Sequence, residues 1–396
     1  MPAKYDLLLK GGTVVDPSQK LNTPRDVAVQ GGKIARTAQN IPAEEAAQVV
    51  NVRGKIVTPG LIDIHAHIYE AVTNNGVNPD VAGVYAGVTT VVDAGSAGCD
   101  TFGGFPRFII PQSQTEIICF MHIARTGLAR TPDIQGPGDV NLDATLQAVE
   151  RYRPYVRGIK ARMVSPALEI MGIEMPRLAK RAAKESGIKL MVHIGDTEKR
   201  YPADIIRELL PILEPGDILT HFFTANPGGV LDANGKLVPE AREAKDRGVW
   251  LDTAHGRMNF AFDIGKRILD QGLLPHCIST DLTVPGRQRT VHSMTEMMTR
   301  FLGLGFTLDD VVTMCTLNPA KALGEENRLG TLGTGRQADI SVLEIRDGDW
   351  EVVDVVGGKL RVQKAVVPVL AVKRGQVFTA QWGPRPWGWE PDPASK

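Results

Sequence analysis

The sequence predicts an α/β chain: a (β/α)8 TIM barrel over residues 58–324, framed by a small discontinuous β-sandwich from residues 1–57 and 325–396. Three observations predict it. Apolar, strand-like runs recur eight times from Leu61 onward, their starts 27 to 40 residues apart. Helix-like segments fill several of the intervals. Short β segments punctuated by glycine pairs precede the first run, and β segments return after the last. Strand–helix alternation at this spacing is the pattern of a parallel sheet covered by helices. An open doubly wound sheet shares it, but no GxGxxG fingerprint follows a strand, and eight units close a barrel.

The N-terminal segment reads as Asp6–Leu9, a Gly11-Gly12 turn, Thr13–Val15, Val27–Val29, a Gly31-Gly32 turn, Lys33–Ala35, Val49–Val52 and Lys55–Val57. Such spacing suits a small sandwich. The eight barrel runs are Leu61–Ile68, Val88–Ala94, Glu116–Ala124, Val156–Met163, Lys189–Gly195, Ile218–Phe223, Val249–Ala254 and Cys277–Asp281. Helices are expected at Leu142–Arg153, Pro176–Ser186, Ala203–Leu213, Pro239–Arg247 and Phe262–Gln271. Gly187, Gly248 and Gly272 stand where a terminating glycine belongs. After the eighth run, Leu308–Cys315 and Pro319–Leu323 read as helices, and Ala338–Glu344, Trp350–Val356, Leu360–Lys364 and Val366–Val372 as strands.

Composition narrows the function. The 396 residues carry 45 acidic and 45 basic side chains with no basic stripe or acidic tail, which argues against nucleic acid and membrane surfaces as partners. The four cysteines are scattered without a CxxC pair, so a reducing compartment fits. The N-terminus has no leader-like apolar stretch, and no apolar run approaches the ~18 residues that span a bilayer. The expectation is a cytoplasmic enzyme. Trp382, Trp387 and Trp389 in the terminal tail suggest a contact between copies, hence a homo-oligomer.

The chemistry gathers at strand ends. Thr58-Pro59-Gly60-Leu61-Ile62-Asp63-Ile64-His65-Ala66-His67 runs from a turn into a strand. Residues two apart on a strand share a face, so His65 and His67 aim two imidazoles at one point. Asp63 lies one layer deeper, placed to orient an imidazole rather than to reach a metal. Later strands end in Lys160 and Arg162, His193, His221, His255 and Asp281. Six strands thus deliver polar groups to the rim where barrel enzymes keep their active sites. His122 and His276 read instead as packing residues.

These motifs resemble the amidohydrolase superfamily of metal-dependent hydrolases. The Pro-Gly-Leu-Ile-Asp-Ile-His-Ala-His run is similar to its strand-one signature. Leu317-Asn318-Pro319-Ala320-Lys321-Ala322-Leu323-Gly324, with Leu329-Gly330-Thr331-Leu332-Gly333-Thr334-Gly335-Arg336-Gln337-Ala338-Asp339, resembles its entry into the C-terminal β region. The resemblance implies two divalent ions, zinc above all. His65, His67 and Asp281 would hold the more buried one and His193 and His221 the other. Lys160 would bridge both as a carbamate. A hydroxide shared by the ions would attack the substrate carbonyl, with Asp281 as general base and then acid.

The substrate follows less directly. Lys160 argues against the mononuclear deaminase branch, which has no bridging lysine. Dihydroorotases usually carry an arginine two residues after the second histidine, where this chain has Tyr69. Arg162, two residues beyond Lys160, could grip a substrate carboxylate bidentately. His255 and His292 are further expected substrate contacts. The overall resemblance is to a deacetylase and dihydroorotase-like subgroup. It implies removal of an acyl group, acetyl in the first instance, from a 2-hydroxy or 2-amino acid, with cyclic-amide hydrolysis as the alternative.

Overall fold

A computed structural model of the chain describes residues 3–381. The three tryptophans of the tail, and any contact between copies expected from them, lie outside the described residues. No helix among the described residues is long and apolar enough to cross a membrane.

The centre is a seven-stranded parallel sheet in sequential order: Leu61–Ala66, Val88–Gly98, Glu116–His122, Val156–Arg162, Lys189–His193, Ile218–Thr220 and Trp250–Asp252. The eighth run forms no regular strand. Residues 277–282 instead bridge both sheet edges, pairing Cys277 with Asp252 and Leu282 with Ala66 in parallel. The sheet therefore curls until its first and last strands meet through this segment. The intervening helices lie close to their expected bounds, at Leu142–Arg151, Glu174–Glu185, Ile205–Leu209, Pro239–Asp246 and Phe262–Asp270. Gly187, Gly248 and Gly272 follow three of them with φ of 65°, 98° and 77°, the left-handed geometry that ends a helix.

Strand alternation places the chemistry. Val92, Phe120, Met191 and Ile218 meet in one packed cluster inside the curl. Gly158 completes that layer, since a Cβ there would lie 2.1 Å from the Phe120 ring. Two residues further along the same strand faces, the side chains become His122, Lys160, His193 and Thr220. An apolar floor thus ends in a polar layer.

The terminal segments form one eight-stranded sheet. It combines Tyr5–Asp16, Leu21–Gln30, Lys33–Ala38, Ala46–Asn51 and Ile56–Pro59 with Ile340–Val353, Lys359–Lys373 and Gln376–Thr379. Gly11-Gly12 is not a turn. The strand runs through it with a shift of register between Leu9 and Gly12, and Asp26 takes the Gly11 amide at 2.8 Å. Val57 and Val52 crowd Gly12 so closely that a Cβ would lie 2.6 Å from Val57 Cγ2, which explains the glycine there. Ile56–Pro59 pairs with both ends of the chain, so the seam between the two sheets falls at Gly60.

Candidate metal and active site

Six side chains converge at the C-terminal edge of the curled sheet. Asp281 Oδ1 lies 3.1 Å from His67 Nε2 and 3.5 Å from His65 Nε2, and Oδ2 lies 3.9 Å from His221 Nε2. Donor atoms of His65, His221 and Asp281 fall within 4.8 Å of one another. Lys160 Nζ sits 3.0 Å from His65 Nε2 and 3.4 Å from Met191 Sδ. The His193 and His221 rings are 3.9 Å apart between centroids. Of the six, only Asp281 is more than slightly exposed.

The backbone bends sharply to achieve this. His221, Ala254 and Asp281 have φ of 69°, 25° and 48°, a region that side-chain-bearing residues seldom occupy. Strands six and seven and the bridging segment 277–282 all turn away through such residues. Asp281 N–H donates to the His65 carbonyl at 2.7 Å and His67 N–H to the Leu282 carbonyl at 2.9 Å, sewing the last segment to the first strand. Gly95, at φ 89°, leaves a trench for the lysine stem: a Cβ there would lie 2.6 Å from Lys160 Cβ.

Hydrogen bonds behind the rings fix which nitrogen faces the site. The Thr220 hydroxyl donates to Asp252 Oδ2 at 2.6 Å, so it must accept from His65 Nδ1, 2.9 Å away. Ser279 donates to the other Asp252 oxygen at 2.8 Å. His221 Nδ1 donates to the Ala254 carbonyl at 2.9 Å. His67 Nδ1 lies 2.9 Å from the Ser96 hydroxyl, and the Ser96 amide donates to Asp93 at 2.7 Å. The Nε2 atoms of His65 and His221 therefore turn a lone pair inward, while His67 Nε2 faces Asp281 Oδ1 at 3.1 Å. Asp63 serves the frame rather than a ring. Its oxygens accept the Thr280 amide at 3.1 Å and hydroxyl at 2.5 Å, which locks the segment carrying Asp281. The ring-orienting carboxylate that sequence reading missed is Asp252, acting through Thr220.

Burial sets the charges. It pushes the Lys160 amine down to about 7 and the His221 imidazole to about 3, and holds His65 and His193 well below the usual range. It pushes Asp63 up to about 7 and Asp252 up to about 6. Burial also opposes charge on Asp281, but the His67 hydrogen bond and the electrostatic influence of His221, His67 and Lys160 win, and its carboxyl titrates below the ordinary range. Neutral imidazoles beside an ionised carboxylate form a donor set suited to a divalent metal. His221 Nε2 is buried with no hydrogen-bond partner among the described residues, a costly state for a ring nitrogen unless a cation takes it. The residues fit a metal centre.

A cavity of ≈ 300 Å³ opens over this cluster, with His67, His193 and Asp281 at its floor. Arg162 lines it but is already engaged, 3.3 Å from Asp133 Oδ2. Asp133 also lies 3.1 Å from His122 Nε2. His122 further accepts the Ala124 amide at 2.9 Å, and His276 that of Leu251 at 3.0 Å. His255 and His292 are not among the residues lining the cavity. The His255 ring stacks on Phe260 at 4.7 Å, and its Nδ1 donates to the Gly256 carbonyl. The His292 amide donates to Glu296 at 2.7 Å, and its ring bonds the Arg287 carbonyl. Both rings turn toward their own loops and helices.

A curled parallel sheet thus carries at its C-terminal edge a histidine–aspartate cluster that fits a divalent metal. The family model described as Amidohydrolase family matches residues 56–361, and the chain belongs to that family. A deacetylase of Agrobacterium fabrum is 32% identical over 361 residues, spanning 90% of this chain and 87% of that protein. A solved adenine deaminase superposes with a TM-score of 0.86 at 29% identity, over 95% of this chain and 100% of that one. A solved dihydroorotase gives 0.83 at 30% identity, over 94% and 99%.

Proposed function

We propose that the chain removes an acyl group, acetyl in the first instance, from the oxygen or nitrogen of a small 2-hydroxy or 2-amino acid. The observation that carries this reading is one cavity with two chemistries: His67, His193 and Asp281 on the floor, at the edge of the histidine–aspartate cluster, and guanidinium groups on the wall for a carboxylate. In this reading residues 58–324 are a (β/α)8 barrel, and residues 1–57 with 325–396 are its flanking β domain. His65, His67 and Asp281 would hold one divalent ion, zinc by the nature of the donors, and His193 and His221 a second. Such ions supply a water that is acidic at neutral pH and polarise the carbonyl.

The remaining work falls to the chain's own groups. Lys160, with its amine near 7, offers a neutral nitrogen to CO2. As the N–C bond forms, one proton leaves, and the resulting carbamate carries two oxygens toward the two donor sets. Asp281 is ionised at neutral pH, so it can accept a proton from the attacking water and return it to the leaving oxygen or nitrogen. Asn259 Nδ2, 3.3 Å from His193 Nε2, steadies that ring at the cavity edge.

Relatives named deacetylase support the acyl reading, and those named dihydroorotase support ring-amide hydrolysis as the alternative. Tyr69 weighs against the latter. It stands where a dihydroorotase arginine is expected, yet its ring stacks on Phe105 and its hydroxyl donates to the Thr101 carbonyl at 2.5 Å. The test is a panel of racemic N-acetyl and O-acetyl acids run beside dihydroorotate and hydantoin on zinc-supplied protein. Turnover of the acetylated acids is expected; turnover of the ring amides alone would overturn the proposal.

A further inference from the structure

Three arginines line the cavity: Arg162, Arg200 and Arg257. Two are spoken for. Arg162 pairs with Asp133 at 3.3 Å, and Asp133 is almost fully buried, so that pair cannot open without stranding a carboxylate. Arg200 pairs with Glu169 at 3.0 Å on the outer rim. Arg257, on the loop after the seventh strand, is exposed and has no ion pair or side-chain hydrogen bond among the described residues. Its stem packs near Gly286, where a Cβ would lie 3.2 Å from Arg257 Cγ, so the side chain is seated rather than loose along the surface. The next residue, Met258, is 47% exposed at the same mouth. A free planar cation beside an exposed thioether, above a hydrolytic floor, suits an anion carrying an apolar substituent.

We infer that Arg257, rather than Arg162, is the specificity residue that receives the substrate carboxylate, with Met258 covering the substituent on the 2-carbon. Arg162 is then a positioning residue, which anchors the loop of Asp133 against the cavity wall. This inference rests on the proposed reaction for a substrate that carries a carboxylate and a substituted 2-carbon. Among the described residues the lining has one other charged side chain without an ion pair, Glu198, and it is the competitor to exclude.

The experiment compares Arg257→Met, Arg162→Met and Glu198→Gln with the parent, all zinc-supplied. The probes are the best racemic N-acetyl acid of the panel and its primary carboxamide. Arg257→Met should raise KM for the acid about tenfold or more, leave kcat within about threefold, and leave the carboxamide unaffected. Calorimetric titration with the deacetylated product acid should show the same weakening. Glu198→Gln should leave KM for the acid unchanged or lower. An unchanged KM in Arg257→Met would overturn the assignment, as would an equal loss in Glu198→Gln, which would mark the two as each other's partners. If the parent hydrolyses only ring amides, the proposed reaction falls, but dihydroorotate, which has a carboxylate, and hydantoin, which lacks one, still test Arg257 in the same way.

Discussion

Two buried lysines mark the two ends of the sheet, and they are treated in opposite ways. At the N-terminal end, Lys373 touches two carboxylates, Glu116 at 2.6 Å and Asp339 at 2.5 Å. Despite burial, Lys373 and Arg328 hold the Glu116 carboxyl well below the ordinary range. At the C-terminal end, Lys160 has a histidine nitrogen and a thioether for neighbours and no carboxylate in contact, so burial pushes its amine to about 7. The first lysine is a clasp between the curled sheet and the terminal strands. The second is left without an opposite charge in contact. The same residue type becomes structure or chemistry according to whether its charge is answered.

The contrast can be broken in four ways. Asp281→Asn at the reactive end should cut kcat by about 10³-fold, within the range of lost acid–base catalysis, while elemental analysis still finds metal. A near-normal rate would refute its proton-carrying role. Lys373→Met should cost about 3 kcal/mol in chemical denaturation by removing the cation from the buried Asp339 carboxylate and leaving Glu116 to Arg328, with the rate of the folded fraction unchanged.

Lys160→Met should act with the opposite sign, stabilising the metal-free protein at neutral pH by about 1–2 kcal/mol, since an unanswered buried amine is removed. In the metal-free parent, the unfolded lysine is protonated up to its ordinary value of 10.5 while the folded one is neutral down to about 7. Its penalty therefore grows as pH falls between those values and is constant below. Glu116 runs the other way: its contribution is complete above the ordinary carboxylate value and fades as pH falls below it. Lys160→Ala tests the carbamate directly. It should lower metal content to about one ion or fewer, and short carboxylic acids should restore part of it. Two tightly held ions without added acid would count against a bridging carbamate.

Much of this was legible in the sequence. Apolar runs and terminating glycines located seven strands and five helices, because burial and turn geometry are local demands. His65, His67, Lys160, His193, His221 and Asp281 could be assembled because each ends a predicted run. Their supports could not. Thr220 and Asp252 read as ordinary polar residues until the curl brings strand one against strands six and seven. Gly95 had a visible signal, the small-residue run Ala94-Gly95-Ser96-Ala97-Gly98 at a strand end, but its meaning depends on Lys160 passing over it. Arg162 looked free because its partner, Asp133, arrives from the loop after the third strand. The eighth run was expected to be a strand, but it makes only isolated bridges, since left-handed Asp281 turns the chain out of the ladder.

That seam has a consequence for how the protein comes into being. Asp281 donates its amide to His65, and the Leu282 carbonyl accepts from His67, so the stitches that close the sheet are the peptide groups of the reactive residues themselves. Drawing the last segment away from the first strand would part the first and last candidate site residues as well. Closure of the sheet and convergence of the candidate metal-site residues thus draw on the same hydrogen bonds.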